Sequence, residues 1–206
     1  MKAGIAVLCL LVSTVALAEE IPFLAGKVTT ARRNARTPIR IDPIEASIYE
    51  GTLDPSKWDD VSTTADKPFG GRQFGSGYAY FEVNSATDKP MFLEAKGDSM
   101  VYVNNEPRAG DPYSWGYSSL PVQLKKGKNT FLFAVGRGSF SGKLVDVAKT
   151  ISFNPGDQTT PDIIKGEKEN LMVAMIVRNA MTGDLDDLTI EAGGMTTRVP
   201  RVMGTS

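Results

Sequence analysis

The chain has 206 residues, 23 basic against 24 acidic side chains, one cysteine and no histidine. Without histidine it cannot build a Ser-His-Asp or Cys-His machine from its own residues, and the usual ligands for zinc, copper or haem are missing as well. A net charge of −1 gives no electrostatic footprint for nucleic acid or for an anionic membrane.

The N-terminus reads as a secretory signal. Lys2 is a short positive region, Ile5 to Val15 is an apolar run, and Ala16-Leu17-Ala18 is a small-x-small cleavage pattern. The run is shorter than the ~20 residues a membrane span needs. Residues 1–18 are therefore expected to be removed, delivering a secreted or periplasmic protein. Cys9 leaves with them, so the remaining chain has neither disulfide nor thiol and must rely on an ordinary hydrophobic core.

Residues 19–66 are poorly patterned. The run Arg32-Arg33-Asn34-Ala35-Arg36 reads as a solvated stretch. Ile39-Arg40-Ile41 is a candidate short strand, and Trp58 is a candidate lid at one end of a core. Thr63 to Gly77 reads as loop.

From Gly77 the pattern turns to β. Strands are expected at Tyr78 to Val83, Met91 to Ala95, Met100 to Val103, Leu120 to Leu124, Thr130 to Val135 and Gly142 to Val147. A long Gly-, Pro- and aromatic-rich loop runs from Asn104 to Ser119. Short strands with frequent turn signals predict an all-β fold, a jelly-roll β-sandwich over 67–153 that can recruit strands from 39–58. Asn154-Pro155-Gly156-Asp157 and Thr160-Pro161-Asp162 predict a linker over 154–169. Strands at Leu171 to Arg178, Leu188 to Glu191 and Thr197 to Val199 predict the start of a second, truncated β domain over 170–206.

Two adjacent stretches carry a family resemblance. Val101-Tyr102-Val103-Asn104-Asn105-Glu106-Pro107-Arg108-Ala109-Gly110 resembles the Asn-Gly hairpin of galactose-binding-like jelly rolls, with Asn105 in place of the usual glycine. Leu120 to Val135, with its Lys125-Lys126-Gly127-Lys128-Asn129 turn, resembles the strand pair that follows it. Asn tolerates the positive φ such a turn requires. The stretch from Gly110 to Tyr117, then Gly136-Arg137-Gly138 and Thr160-Pro161-Asp162, is similar to the non-catalytic N-terminal region of large exported α/β-hydrolase or prolyl-oligopeptidase-like proteins. The resemblance implies a galactose-binding-like accessory module beside hydrolase domains. It carries over no catalytic residue.

The expected site lies on the long loop. Tyr113, Trp115 and Tyr117 either stack on sugar rings, with Arg108 and Asp111 as polar handles, or fold back over the open end of the sandwich to complete its core. Arg137, between two glycines, is expected to pair with Asp111 or Glu106 and pin the loop, with ligand contact as its other role. No cofactor is implied. Asp98, Asp157 and the Asp184-Asp186-Asp187 group are the carboxylates available for a structural calcium, though none has EF-hand spacing. No carboxylate pair or Ser-Lys motif is marked, so the chain is expected not to be an enzyme. Its expected function is a non-catalytic exported binding or accessory module for a glycan or an associated hydrolase domain. The alternative is the structural N-terminal scaffold of a larger exported serine hydrolase or peptidase.

Overall fold

The computed structural model describes residues 19–30, 42–162, 165–166, 172–192 and 194–205. The signal segment 1–18, the arginine run 32–36 and the Ile39-Arg40-Ile41 strand lie outside the described residues. In chain order the first elements are β1 (Glu20–Pro22), β2 (Ala25–Thr30), α1 (Pro43–Tyr49), β3 (Asp59–Ser62), β4 (Phe69–Gly70) and β5 (Gly77–Ser85). They continue with β6 (Lys89–Lys96), β7 (Asp98–Val103), β8 (Glu106–Ala109), β9 (Ser119–Leu124), β10 (Gly127–Val135) and β11 (Ser139–Asp146).

These strands form an all-β, jelly-roll sandwich. One antiparallel sheet has the order β1-β11-β6-β9, with β4 also on β11; the other is β3-β2-β5-β10-β7-β8. From β5 to β11 the chain passes repeatedly from one sheet to the other, so each sheet's inner face is completed by strands distant in sequence. The alternation of β5 shows why the layers form. Ala79, Phe81 and Val83 enter the sandwich, where they meet Met91, Leu93, Leu124, Phe131, Phe133, Phe140 and Leu144. Phenylalanine dominates this core, with Phe133 and Phe140 centroids 4.6 Å apart and Phe81 and Phe140 stacked at 5.6 Å.

The opposite face of β5 carries Tyr78 and Tyr80. They pack with Tyr102, Leu132 and Ile48 in a second cluster that Trp58 flanks. Helix α1 closes that face. Asp42 caps it, its Oδ1 accepting from Ile44 N at 2.8 Å, and Pro43 takes the first helical position.

Within 19–66, the described stretches 19–30 and 59–62 add strands to the two sheets. β1 pairs β11, and β2 lies between β3 and β5. The strands were hard to read because each is short and buries little: Val28 is the one fully buried residue of β2. Gly26 allows β2 its close approach, since a Cβ there would lie 2.5 Å from both the Phe81 ring and the Tyr80 carbonyl. The stretch 63–77 is likewise more than loop, because the two-residue β4 and the turn Arg72–Phe74 deliver Phe69 and Phe74 to the core.

The hairpin that carries the family resemblance has the expected geometry. Val103 pairs Glu106 across a two-residue turn, and both Asn104 (φ 50) and Asn105 (φ 72) are left-handed. Asn104 Oδ1 accepts from Thr130 N at 2.9 Å, and its Nδ2 donates to Asn129 Oδ1 at 3.0 Å. The buried Asn129 in turn donates to the Lys125 and Gly127 carbonyls and accepts from Lys125 N. Asn129→Ala orphans these groups together and is expected to cost about 2–3 kcal/mol. Urea unfolding checks this, and an unchanged midpoint would contradict it.

Beyond the sandwich, β12 (Ile151–Thr159) pairs β13 (Ala174–Asn179), and β14 (Leu185–Ala192) pairs β15 (Met195–Val202). The expected linker over 154–169 is therefore strand as far as Thr159. Pro155 and Gly156 looked like breakers, but they fall where the β12–β13 register shifts between Phe153 and Gln158, a position that tolerates both. Arg178 fastens this pair to the sandwich. Its guanidinium lies 4.0 Å from the Phe92 ring centroid, and Nη1 donates to Ser119 Oγ at 2.8 Å.

Candidate functional site

The loop between β8 and β9 leaves the sandwich over a buried carboxyl. Gly110 begins it and rests on Asp98: a Cβ at Gly110 would lie 2.6 Å from Asp98 Oδ2 and from Met100 N. This is the physical reason for glycine at the last position of the family-like motif. Asp98 itself is buried, and neither of its oxygens has a hydrogen-bond partner. Burial pushes its pKa up to about 7, and the Asp111 charge adds to the rise. The backbone amides of Asp98 and Asp111 oppose it in part, without reaching hydrogen-bond geometry.

Asp111 is buried too, and it shapes the loop from within. Its carbonyl accepts from Ser114 N at 3.0 Å, and its Oδ2 accepts from Gly116 N. Ser114 (φ 61) and Gly116 (φ 78) both turn left-handed around it. Arg137 reaches over from the β10–β11 connection and donates to the Pro112 carbonyl through Nε at 2.9 Å and Nη2 at 2.7 Å. At the far end, Asn154 of β12 donates to the Tyr117 carbonyl at 2.8 Å.

This bracing presents three aromatic rings. Tyr113, Trp115 and Tyr117 are 69%, 65% and 47% exposed, so they do not complete the core. Trp115 lies 5.6 Å from Tyr113 at 34° and 5.5 Å from Tyr117 at 63°, centroid to centroid. The three form one continuous ridge. Alternation around a left-handed glycine puts them there, with Asp111 holding the turn beneath.

The remaining sequence-selected residues divide. Asp111 is an internal brace rather than a polar handle, because its carboxylate is buried and already bonded. Arg137 pins the loop as expected but through a carbonyl; Glu106 pairs instead with Arg108, 3.1 Å away. Arg108 also donates to the Thr205 carbonyl at 3.3 Å, so its bonds run to β8 and the C-terminal segment and not to the aromatic ridge. The calcium candidates are dispersed. Asp186 and Asp187 pair with Arg201 and Arg198, and no group of three potential ligands gathers among the described residues. Asn154 and Lys96 were not singled out from the sequence. Asn154 sits in what reads as a linker, and the stem of Lys96 passes beside Gly116, where a Cβ would lie 3.6 Å from its Cδ. Only tertiary structure joins either residue to the loop.

No family profile and no curated protein matches the chain. Solved structures do. A Podospora anserina GH26-CBM35 β-(1,4)-mannanase matches 63% of this chain at 18% identity and a TM-score of 0.32. The exo-β-D-glucosaminidase CsxA, in complex studies with castanospermine and australine analogues, matches 91% at 14% identity and 0.44. The Amycolatopsis orientalis exo-chitosanase CsxA matches 91% at 13% identity and 0.43. The chain spans 28% of the length of each of these structures.

Two other concave surfaces stand apart from the ridge. A groove of about 790 Å³ on the outer face of the six-stranded sheet is lined by Leu53, Tyr80, Lys27, Asp60, Glu82 and Lys128. Four of its charges pair, Lys27 with Asp60 at 2.8 Å and Lys128 with Glu82 at 3.1 Å; Tyr80 donates to Glu82, and Asp54 accepts from Ser56 N. An apolar groove of about 760 Å³ lies between the two C-terminal hairpins, lined by residues that include Phe153, Met172, Met175, Met195 and Met203.

Proposed function

We propose that this chain is an exported, non-catalytic carbohydrate-binding module whose ligand face is the ridge of Tyr113, Trp115 and Tyr117. The observation that carries the reading is that three large rings are held side by side in solvent by a braced loop. An unbraced loop would let apolar rings collapse onto the protein. Here Asp111, Arg137 and Asn154 hold the backbone of the loop on which the rings stay exposed. Sugar rings offer C–H faces that pack on aromatics, while their hydroxyls remain in water.

A glycan array probed with the chain lacking residues 1–18, beside its Trp115→Ala variant, tests this. Retention of one glycan class is expected, with at least tenfold weaker binding by the variant and an unchanged melting temperature. Removing the central ring breaks the ridge, and aromatic contacts contribute about 0.5–1.5 kcal/mol beyond the area they bury. No retention on any glycan, or retention indifferent to the substitution, would overturn the proposal.

The apolar groove favours a second reading, in which the chain serves as the N-terminal scaffold of a larger exported hydrolase. Met172 and Met203 are 88% and 72% exposed there, on two-stranded units that bury little by themselves. An array without binders, together with a native protein far larger than 22.2 kDa, would move the assignment to this reading.

A further inference from the structure

Several cations of the sandwich, though fewer than half of the described ones, stand next to an acid. Lys27, Lys89, Lys128 and Lys143 each lie 2.7–3.1 Å from a carboxylate. The cations around the aromatic loop do not. Among the described residues, Lys96, Lys67 and Arg137 have no carboxylate at ion-pair distance. Arg137 spends Nε and Nη2 on the Pro112 carbonyl and keeps Nη1 without a partner. Lys96 runs beside Gly116, the glycine between Trp115 and Tyr117. Lys67 and Lys96 line one cleft of about 350 Å³ with Ser139 and Ser141.

The nearby acids do not cancel this charge. Asp98 and Asp111 are buried beneath the loop, and burial favours the neutral form of Asp98. Asp66 lines the same cleft as the lysines and accepts from Thr64 Oγ1 at 2.5 Å. Lys67, Lys96 and Arg137 are exposed, and Asp66 is the one carboxylate lining the cleft that Lys67 and Lys96 share.

We infer that the glycan this module takes is acidic, a polymer whose sugar rings carry carboxylate or sulfate groups. The inference rests on the proposed carbohydrate-binding function and adds the ligand's charge. Ring faces lie along Tyr113, Trp115 and Tyr117, and the anionic substituents reach Lys96, Arg137 and the cleft that Lys67 shares. Ser139 and Ser141 supply neutral hydrogen-bonding groups in that cleft. Opposite charge on a stacked ligand gives both affinity and a salt dependence that stacking on neutral sugars lacks.

Affinity electrophoresis of the full chain separates the possibilities. The gels contain polygalacturonate, a sulfated galactan, or neutral galactan and mannan, each run at 50 and 500 mM NaCl. Retention by at least one acidic polymer is expected to be about tenfold stronger than by the neutral ones and to fall at high salt. The carboxylated and sulfated gels distinguish the two sources of charge. The Lys67→Gln, Lys96→Gln double variant removes two exposed side chains that hold no ion pair, and is expected to fold normally and bind the acidic polymer about tenfold more weakly. Neutral polymers retained as strongly as acidic ones, or binding unchanged in the double variant, would overturn the inference and leave the carbohydrate-binding function standing. A folded protein retained by no gel would overturn both.

Discussion

Phe23→Ala is expected to lower the free energy of unfolding by about 3–5 kcal/mol, among the largest losses any single truncation here produces. Phe23 follows β1 in a stretch whose sequence gives little sign of structure, yet it is only 5% exposed. Its ring centroid lies 5.1 Å from Phe81, 5.1 Å from Phe131 and 5.5 Å from Phe133, so it joins rings from two strands of the opposite sheet. Its N–H donates to the Gly142 carbonyl at 3.0 Å, and a Cβ at Gly142 would come within 2.9 Å of the ring. Backbone on one side and three rings on the other leave the site little room to collapse, so the cavity persists and adds to the lost transfer energy. Urea denaturation at constant m-value measures the effect. A loss under about 1 kcal/mol would return residues 19–30 to the status of a loosely attached segment.

Asp98→Asn is expected to stabilise the protein at pH 8 and to flatten its pH dependence. Asp98 titrates near 3.8 when exposed and at about 7 when folded. Between those values the folded protein holds a proton that the unfolded chain has released, so wild-type stability falls as the pH rises from about 4 to about 7 and then levels off. Three pH units correspond to about 4 kcal/mol as an upper bound. Asparagine keeps the size of the protonated acid and carries no charge at any pH. The variant should therefore exceed wild type by on the order of 2–4 kcal/mol at pH 8 and match it near pH 4. Thermal melts of both proteins across this range provide the check. Parallel profiles would mean that Asp98 is ionised in the folded state near pH 5 and finds a partner there.

Apart from the four-residue β8, which falls inside what reads as the Asn104 to Ser119 loop, the strands from β5 to β11 were legible because each repeats an alternation long enough to recognise, and because Asn104-Asn105 and the turn at Gly127 mark their hairpins. The edges were not. Gly26 and Val28 give β2 no apolar stripe, and Phe69 and Phe74 act as isolated core residues on a two-residue strand and one turn. Helix α1 left a readable signal in Asp42-Pro43, a capping residue followed by proline, but its seven residues show little periodicity. Pro155 and Gly156 misled because a bulge and a linker use the same residues.

The site divided in the same way. The spacing of Tyr113, Trp115 and Tyr117 identified the rings, but whether they faced solvent or core depended on Asp111 within the loop and on Arg137 and Asn154, which approach from two other elements. Arg108 resembled a site residue by proximity in sequence alone; strand β8 carries it to Glu106 and Thr205.

The chain contains two tryptophans, Trp58 beside Tyr80 on the outer face of the six-stranded sheet and Trp115 on the ridge. Their indole N–H resonances in a ¹⁵N-labelled sample therefore report the two surfaces separately. Titration with oligogalacturonate, and with a neutral mannan oligosaccharide alongside, is predicted to shift the Trp115 signal progressively and leave that of Trp58 in place. Saturable movement of the Trp58 signal alone, or no movement of either with both sugars, would contradict the ridge as the glycan-binding face.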